Sequence, residues 1–183
     1  MSKKSFQISK SLKIRMLETK DSKEHFDVVN ENRSHLREWL PWLDYNTKVK
    51  DSEAFIDRTK NQYIKDKSFQ CGVFYNNSLV GMCGFHPINY ANNSVTIGYW
   101  LAKGYEGKGI ITKCSEFFIH YAFQELKLNK VCIHVAEKNV KSRAVAERLG
   151  LINEGLEREA ELLYGMYVNH IRYSILRSEF NKT

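Results

Sequence analysis

Two hydrophobic periods divide the chain into elements. Residues 11–17 alternate, with Leu12, Ile14 and Met16 on one face, and predict a strand. From 21 to 43 the apolar positions recur at helical spacing, and Asp21 followed by Glu24 predicts a capping box at the start. A second helical stretch runs from about 51 to 65, with Ala54, Phe55, Arg58 and Gln62 at turn spacing. The period then falls to two. Residues 69–75 and 79–85 are β-rich runs joined by Asn76-Asn77-Ser78, the pattern of a hairpin. Val95, Ile97, Tyr99 and Leu101 alternate with Thr96, Gly98 and Trp100 in a further strand. After a glycine-containing loop, Ile110, Cys114, Phe117, Phe118, Tyr121 and Ala122 form one apolar helical stripe. Val131, Ile133 and Val135 alternate with Cys132 and His134 and predict a buried strand. Residues 140–149 predict a shorter helix closed by Gly150. Runs 156–163 and 167–176 flank Tyr164-Gly165 as a last hairpin. Hairpins and helical crossovers together predict one α/β (α+β) domain over residues 1–183, with a mixed sheet of about seven strands flanked by helices.

Composition narrows the setting. At 183 residues the chain matches one domain, and 43% hydrophobic with 27% charged residues excludes a disordered chain. No apolar run approaches the roughly 18 residues of a membrane span, and no apolar core follows Met1-Ser2-Lys3-Lys4. A cytoplasmic protein without a membrane partner is expected. Cys71, Cys83, Cys114 and Cys132 have no metal or redox spacing and sit among apolar neighbours, so they read as small buried hydrophobes. The net charge of +7 is scattered along the chain. It reads either as a solvated positive surface or as attraction to phosphates or an RNA-rich partner, and direct nucleic-acid binding is not required.

The loop Gly104-Tyr105-Glu106-Gly107-Lys108-Gly109-Ile110-Ile111-Thr112 lies between a predicted strand and the clearest helix. Close glycines let backbone amides approach a ligand, and the helix N-terminus adds free N–H groups and a positive dipole end, the means of holding a pyrophosphate. A nucleotide P-loop is excluded because Gly109, not Ser or Thr, follows Lys108. A dinucleotide fingerprint is excluded because Thr112 occupies the place of its third glycine. Alone, the loop reads either as an anion cradle or as a glycine-rich turn.

Its context decides between them. Ile97-Gly98-Tyr99-Trp100-Leu101, then Glu106-Gly107-Lys108-Gly109-Ile110-Ile111-Thr112, resembles the acetyl-CoA pyrophosphate loop of GNAT N-acetyltransferases. Val135-Ala136-Glu137-Lys138-Asn139-Val140-Lys141-Ser142, continuing to Ala146-Glu147-Arg148-Leu149-Gly150, is similar to that family's fourth-helix motif. Leu36-Arg37-Glu38-Trp39-Leu40-Pro41-Trp42 and Arg158-Glu159-Ala160-Glu161 resemble the RimJ/RimL branch, which acetylates N-terminal amines of ribosomal proteins. The resemblance spans nearly the whole chain. It implies the GNAT fold, acetyl-CoA as cosubstrate, no metal, an amine acceptor such as a ribosomal-protein N-terminus, and a homodimer. Glu106 and Ile111 depart from the family's loop pattern, and Glu106 must point away from phosphate or pair with Lys103 or Lys108. Ala146 occupies the place of a tyrosine acid used by many members.

The resemblance also assigns roles. Backbone amides of Gly107, Lys108, Gly109, Ile110, Ile111 and Thr112 take the pyrophosphate, and the backbone of Leu101 and Ala102 pairs with the pantetheine arm. Asn139, which alone reads as a helix N-cap, hydrogen-bonds the pantetheine, and Ser142 faces the leaving sulfur. Glu157, Glu159 and Glu161 alternate and are expected on one strand face. Alone, this row reads either as a solvated edge or as an acidic face on which Glu161 accepts the amine proton while Glu157 and Glu159 attract the cationic N-terminus. The resemblance singles out Glu161 as the base. Trp39 and Trp42, with Pro41, line the acceptor mouth. An α-amine with a pKa of about 7.8 is roughly one-seventh neutral at pH 7, against about one in 2,500 for a lysine near 10.4. A single carboxylate suits the first and favours an N-terminal amine. The alternatives are a small acceptor (polyamine, aminoglycoside or amino-acid derivative) and a non-catalytic CoA-binding or ribosome-associated module.

Overall fold

The computed structural model describes residues 5–180. Its eight strands form one sheet in the order β1-β2-β3-β4-β5-β6-β8-β7. The strands are β1 (Ser5–Gln7), β2 (Leu12–Arg15), β3 (Gln70–Tyr75), β4 (Ser78–Phe85), β5 (Ser94–Leu101), β6 (Lys130–Ala136), β7 (Ile152–Leu163) and β8 (Met166–Leu176). All neighbours are antiparallel except β5 and β6. That parallel pair spans only Ser94–Thr96 against Lys130–Cys132. Beyond Thr96 the two strands separate.

The helices are α1 (Ser22–Glu31), α2 (Arg33–Leu36), α3 (Val49–Ile64), α4 (Ile110–Gln124), α5 (Val140–Arg148) and α6 (Arg177–Phe180). The apolar stripe of α4 buries Ile110, Cys114, Phe118 and Ala122 against Ile14, Val73, Ile97, Ile133 and Tyr173 on one sheet face. A second core on the other face joins Val29 of α1 and Ile56 of α3 to Met82 and Trp100. The Asn76-Asn77 turn has φ of 49° and 68°, a left-handed pair suited to a tight hairpin. Cys71, Cys83, Cys114 and Cys132 are free thiols and buried.

Four sequence expectations are corrected. The helix over 21–43 is broken into α1, α2 and a 3-10 turn over Pro41–Tyr45. Asn32 ends α1 with its amide on the Val28 carbonyl, and Leu40 is extended ahead of Pro41, which excludes a helical conformation there. The Asp21–Glu24 capping box is absent. Asp21 instead binds Arg15 at 2.6 and 3.0 Å, while Glu24 accepts from the Leu79 amide at 2.9 Å. The buried face of α3 carries Ser52, Ile56 and Thr59, not the Ala54, Phe55, Arg58 and Gln62 set. The sheet gains an eighth strand, β1, whose Phe6 packs on Phe117 at 4.7 Å.

Candidate active site

The parting of β5 from β6 determines what the site offers. In an antiparallel ladder, alternate residues turn both backbone groups to the same neighbour. The Thr96 carbonyl receives the His86 amide, and the Ala102 amide donates to Val80, so this parity of β5 faces β4. Tyr99 and Leu101 therefore turn their N–H and C=O groups into the gap. Of the two residues expected to pair with the pantetheine arm, Leu101 turns its backbone groups to the gap, whereas Ala102 does not. Its amide is spent on Val80, and its carbonyl accepts from Tyr105.

On the β5 side of the gap's open end α4 begins. Gly107 and Gly109 have φ of 73° and 68°, so the chain turns here through a conformation that side chains disfavour. Gly109 is the N-cap, and Lys113 makes the first helical bond back to its carbonyl at 3.1 Å. Amides from Gly107 to Thr112 have no backbone acceptor among the described residues. A Cβ added at Gly107 or Gly109 would meet nothing within 4 Å. Open space, clustered donors and a helix dipole fit a pyrophosphate. Arg148 reaches Thr112 Oγ1 at 3.1 Å, and Lys108 stands 5.0 Å from the Tyr105 ring centre. Glu106 pairs with Lys141 at 2.8 Å and His35 at 3.6 Å, not with Lys103 or Lys108.

On the β6 side of the same open end α5 begins. Asn139 Oδ1 accepts the Ser142 amide at 3.1 Å, which is the N-cap bond. The Ser142 hydroxyl lies 3.0 Å from Tyr99 Oη, which also donates to the Ser142 carbonyl at 3.1 Å. Burial pushes the Tyr99 phenol well up, so it stays protonated. Ala146 is fully buried in the core.

A cavity of about 990 Å³ spans the splayed strands and includes Tyr99, Asn139 and Ser142 in its wall. Trp39, Pro41, Trp42, Phe55 and Trp100 give it an aromatic side, and Glu157, Glu161, His134 and His170 a polar one. Glu161 Oε2 is 3.2 Å from His170 Nε2. Glu157 lies 3.8 Å from Arg172. The expected shared face of three glutamates is corrected. A bulge between Glu157 and Glu161 puts Glu159 at φ 50°, exposed and outside the cavity wall, its amide bound to Asn169 Oδ1 at 3.0 Å. From sequence no site role falls to Tyr99, nor to His86 and His134, although both histidines line the cavity. Burial holds the pKa of each below the usual histidine value. Among the described residues no group of three or more His, Cys, Asp and Glu could hold a metal, and no helix is long and apolar enough to cross a membrane.

Residues 11–152 match the family described as Acetyltransferase (GNAT) domain. The chain belongs to this family. It is 38% identical over 175 residues to the Bacillus subtilis protein named "Putative ribosomal N-acetyltransferase YdaF", covering 94% of this chain and 95% of that one. It is 26% identical over 160 residues to the ribosomal-protein-serine acetyltransferase of Escherichia coli, covering 87% and 89%. The solved structure of RimL, a ribosomal L7/L12 alpha-N-protein acetyltransferase in complex with coenzyme A, superimposes with a TM-score of 0.89 at 24% identity. It covers 94% of this chain and 97% of that one, and at that identity the likeness concerns the fold. The molecule is thus an acetyltransferase, with the eight-stranded mixed sheet of its class.

Proposed function

We propose that the protein transfers an acetyl group from acetyl-CoA to the N-terminal α-amine of a cytoplasmic protein, ribosomal proteins being the favoured class. One observation carries this reading: a single cavity joins the strand gap and Ser142 to the carboxylates Glu157 and Glu161 and an aromatic wall. The names of the two relatives support the acceptor class. Acetyl-CoA supplies a thioester carbonyl to the gap, and the residues of the chain do the rest. Amides of 107–112 hold the pyrophosphate, the backbone groups of Tyr99 and Leu101 pair with the pantetheine arm, and Asn139 Nδ2 remains free to donate to it while Oδ1 caps α5.

Glu161, with His170 at 3.2 Å, takes a proton from the amine. The free amine attacks the carbonyl carbon directly, so the C–N bond forms as the C–S bond breaks, and the second nitrogen proton leaves to water in the cavity as the amide forms. Ser142 gives the leaving sulfur its hydroxyl proton and recovers one from Tyr99, whose hydroxyl turns from the Ser142 carbonyl to Ser142 Oγ at 3.0 Å and is reprotonated by water. The vacancy at Ala146 is thereby met from β5, on the other side of the gap.

The test is the pH dependence of Glu161→Gln with one N-terminal peptide, measured from about 6 to 9.5. The rate falls strongly at pH 7, and the deficit shrinks above about 7.8, where free amine becomes abundant. A constant ratio at every pH makes Glu161 an electrostatic positioner, and full activity removes it from the site.

A further inference from the structure

The bulge that takes Glu159 out of the cavity wall also sets where Glu161 stands. Between the pairs Glu157–His170 and Glu161–Val168, β7 spends four residues where β8 spends two. A regular ladder running on from Glu157 would put Glu159 opposite Val168 and Glu161 opposite Met166, beside the turn. The two extra residues draw Glu161 back opposite Val168, which is two residues from His170 on the same face of β8. Asn169 secures the bulge, taking the Glu159 amide on Oδ1 and donating from Nδ2 to Glu137 Oε2, each at 3.0 Å.

One imidazole thus stands beside two carboxylates. His170 is directly across from Glu157 and diagonal to Glu161, and all three line the cavity. Glu157 has a different partner, the Arg172 guanidinium at 3.8 Å. The Glu161 carboxylate makes one hydrogen bond among the described residues, Oε2 to His170 Nε2 at 3.2 Å. The direction of that bond follows from the reaction. A base must be ionised before it can take a proton, and an ionised carboxylate only accepts hydrogen bonds. Nε2 therefore carries a proton and donates, whether the ring is neutral or cationic. Oε2 is then occupied, and Oε1 is the oxygen left for the amine. A glutamate side chain 34% exposed has several rotamers open to it, whereas the imidazole, 17% exposed, rides on a strand paired on both sides.

We propose that His170 is a positioning residue for the base: its Nε2–H holds Glu161 Oε2 so that Oε1 meets the acceptor amine, through a contact that the β7 bulge creates. This rests on the reading of Glu161 as the base and adds the group that orients it.

The test is a double-mutant cycle of His170→Phe with Glu161→Gln, and His170→Gln is the conservative variant. Phenylalanine fills the place of the ring and removes the donor, whereas glutamine restores an N–H donor. We would measure kcat and acceptor KM at pH 7 with one N-terminal peptide and with spermidine, and acetyl-CoA affinity by calorimetry. His170→Phe lowers kcat roughly tenfold, the loss of one hydrogen bond to a charged group, and leaves acceptor KM and acetyl-CoA affinity within about twofold of wild type. His170→Gln recovers most of that kcat. In the Glu161→Gln background His170→Phe costs nothing further, because the base it orients is gone. An unchanged kcat, a loss confined to KM, a loss that glutamine does not rescue, or a loss that adds in full to that of Glu161→Gln overturns the role of His170. If His170→Phe does not fold, His170→Leu takes its place in the cycle. Full activity in Glu161→Gln overturns the reading of the base itself. A wild type that acetylates spermidine and no peptide overturns the N-terminal reading, and the cycle run on spermidine still decides His170.

Discussion

Ser142 and Tyr99 divide one proton-delivery task between two elements, and single substitutions separate their shares. Ser142→Ala lowers kcat more than it raises the acetyl-CoA KM, because the lost bond matters as the thiolate develops. Tyr99→Phe keeps the ring and breaks only the 3.0 and 3.1 Å contacts, so it lowers kcat by roughly tenfold, the cost of about one hydrogen bond. Steady-state kinetics on both variants checks the pair, and an unchanged kcat in Tyr99→Phe leaves Ser142 acting alone. His25, buried on α1, adds a pH effect on folding. Burial holds its folded pKa to about 4, below the ordinary 6.5, so the unfolded chain binds the proton more readily. The stability it protects is complete above about 6.5 and is lost as the pH falls toward 4, a change of order 3 kcal/mol. Denaturant melts at pH 7.5 and 4.5 should show that loss, and His25→Phe should remove much of it.

The elements that close the cavity are tied at their tips. Tyr164, in the β7–β8 turn, donates from its hydroxyl to the Leu40 carbonyl at 3.0 Å. Arg37 stacks on the Tyr164 ring at 4.0 Å and holds Asp44 at 2.9 and 3.0 Å. The segment bearing Trp39 and Trp42 is thereby fixed to the hairpin that carries Glu161. Tyr164→Phe should raise the acceptor KM a few-fold and leave acetyl-CoA binding unchanged, as kinetics and calorimetry would show. On the β5 side of the gap, Gly109→Val forces a branched side chain into φ 68° and into the space above the loop. Acetyl-CoA affinity should fall at least tenfold in a chain that still folds, by calorimetry and circular dichroism. Element-scale patterning also explains where sequence reading slipped. Alternation in β7 placed Glu157, Glu159 and Glu161 together, but Asn169 on the neighbouring strand captures the Glu159 amide and inserts a bulge. A partner strand's side chain is invisible to the period of the bulged one.

Across the molecule, periodicity recovered what is local and regular. The alternation of β5 and β6 and the stripe of α4 follow from burial alone, and the Gly107 and Gly109 turn follows from backbone geometry. Contacts between distant segments were out of reach. The break after α1 is tied to Asn32, whose Oδ1 receives the Lys103 amide 71 residues away. Ser142 and Glu161 were found through the family resemblance, while Tyr99 and His170 reach the site from β5 and β8 and carry no motif of their own. The three-residue β1 was too short to show a period.

The seam between the two halves of the sheet has a dynamic consequence. Three residue pairs stitch β5 to β6, and past them each half is a separate plate with an unfinished edge. An extended ligand lying along that edge behaves as a missing strand, so its arrival stiffens the plates against each other. Amide hydrogen exchange read by NMR should report this residue by residue. The Leu101 amide, and Tyr99 beside it in parity, should exchange quickly in the free protein and slow at least tenfold when acetyl-CoA binds, as newly bonded amides do. Ala102, already bonded to Val80, should scarcely change, and serves as the built-in control one residue away.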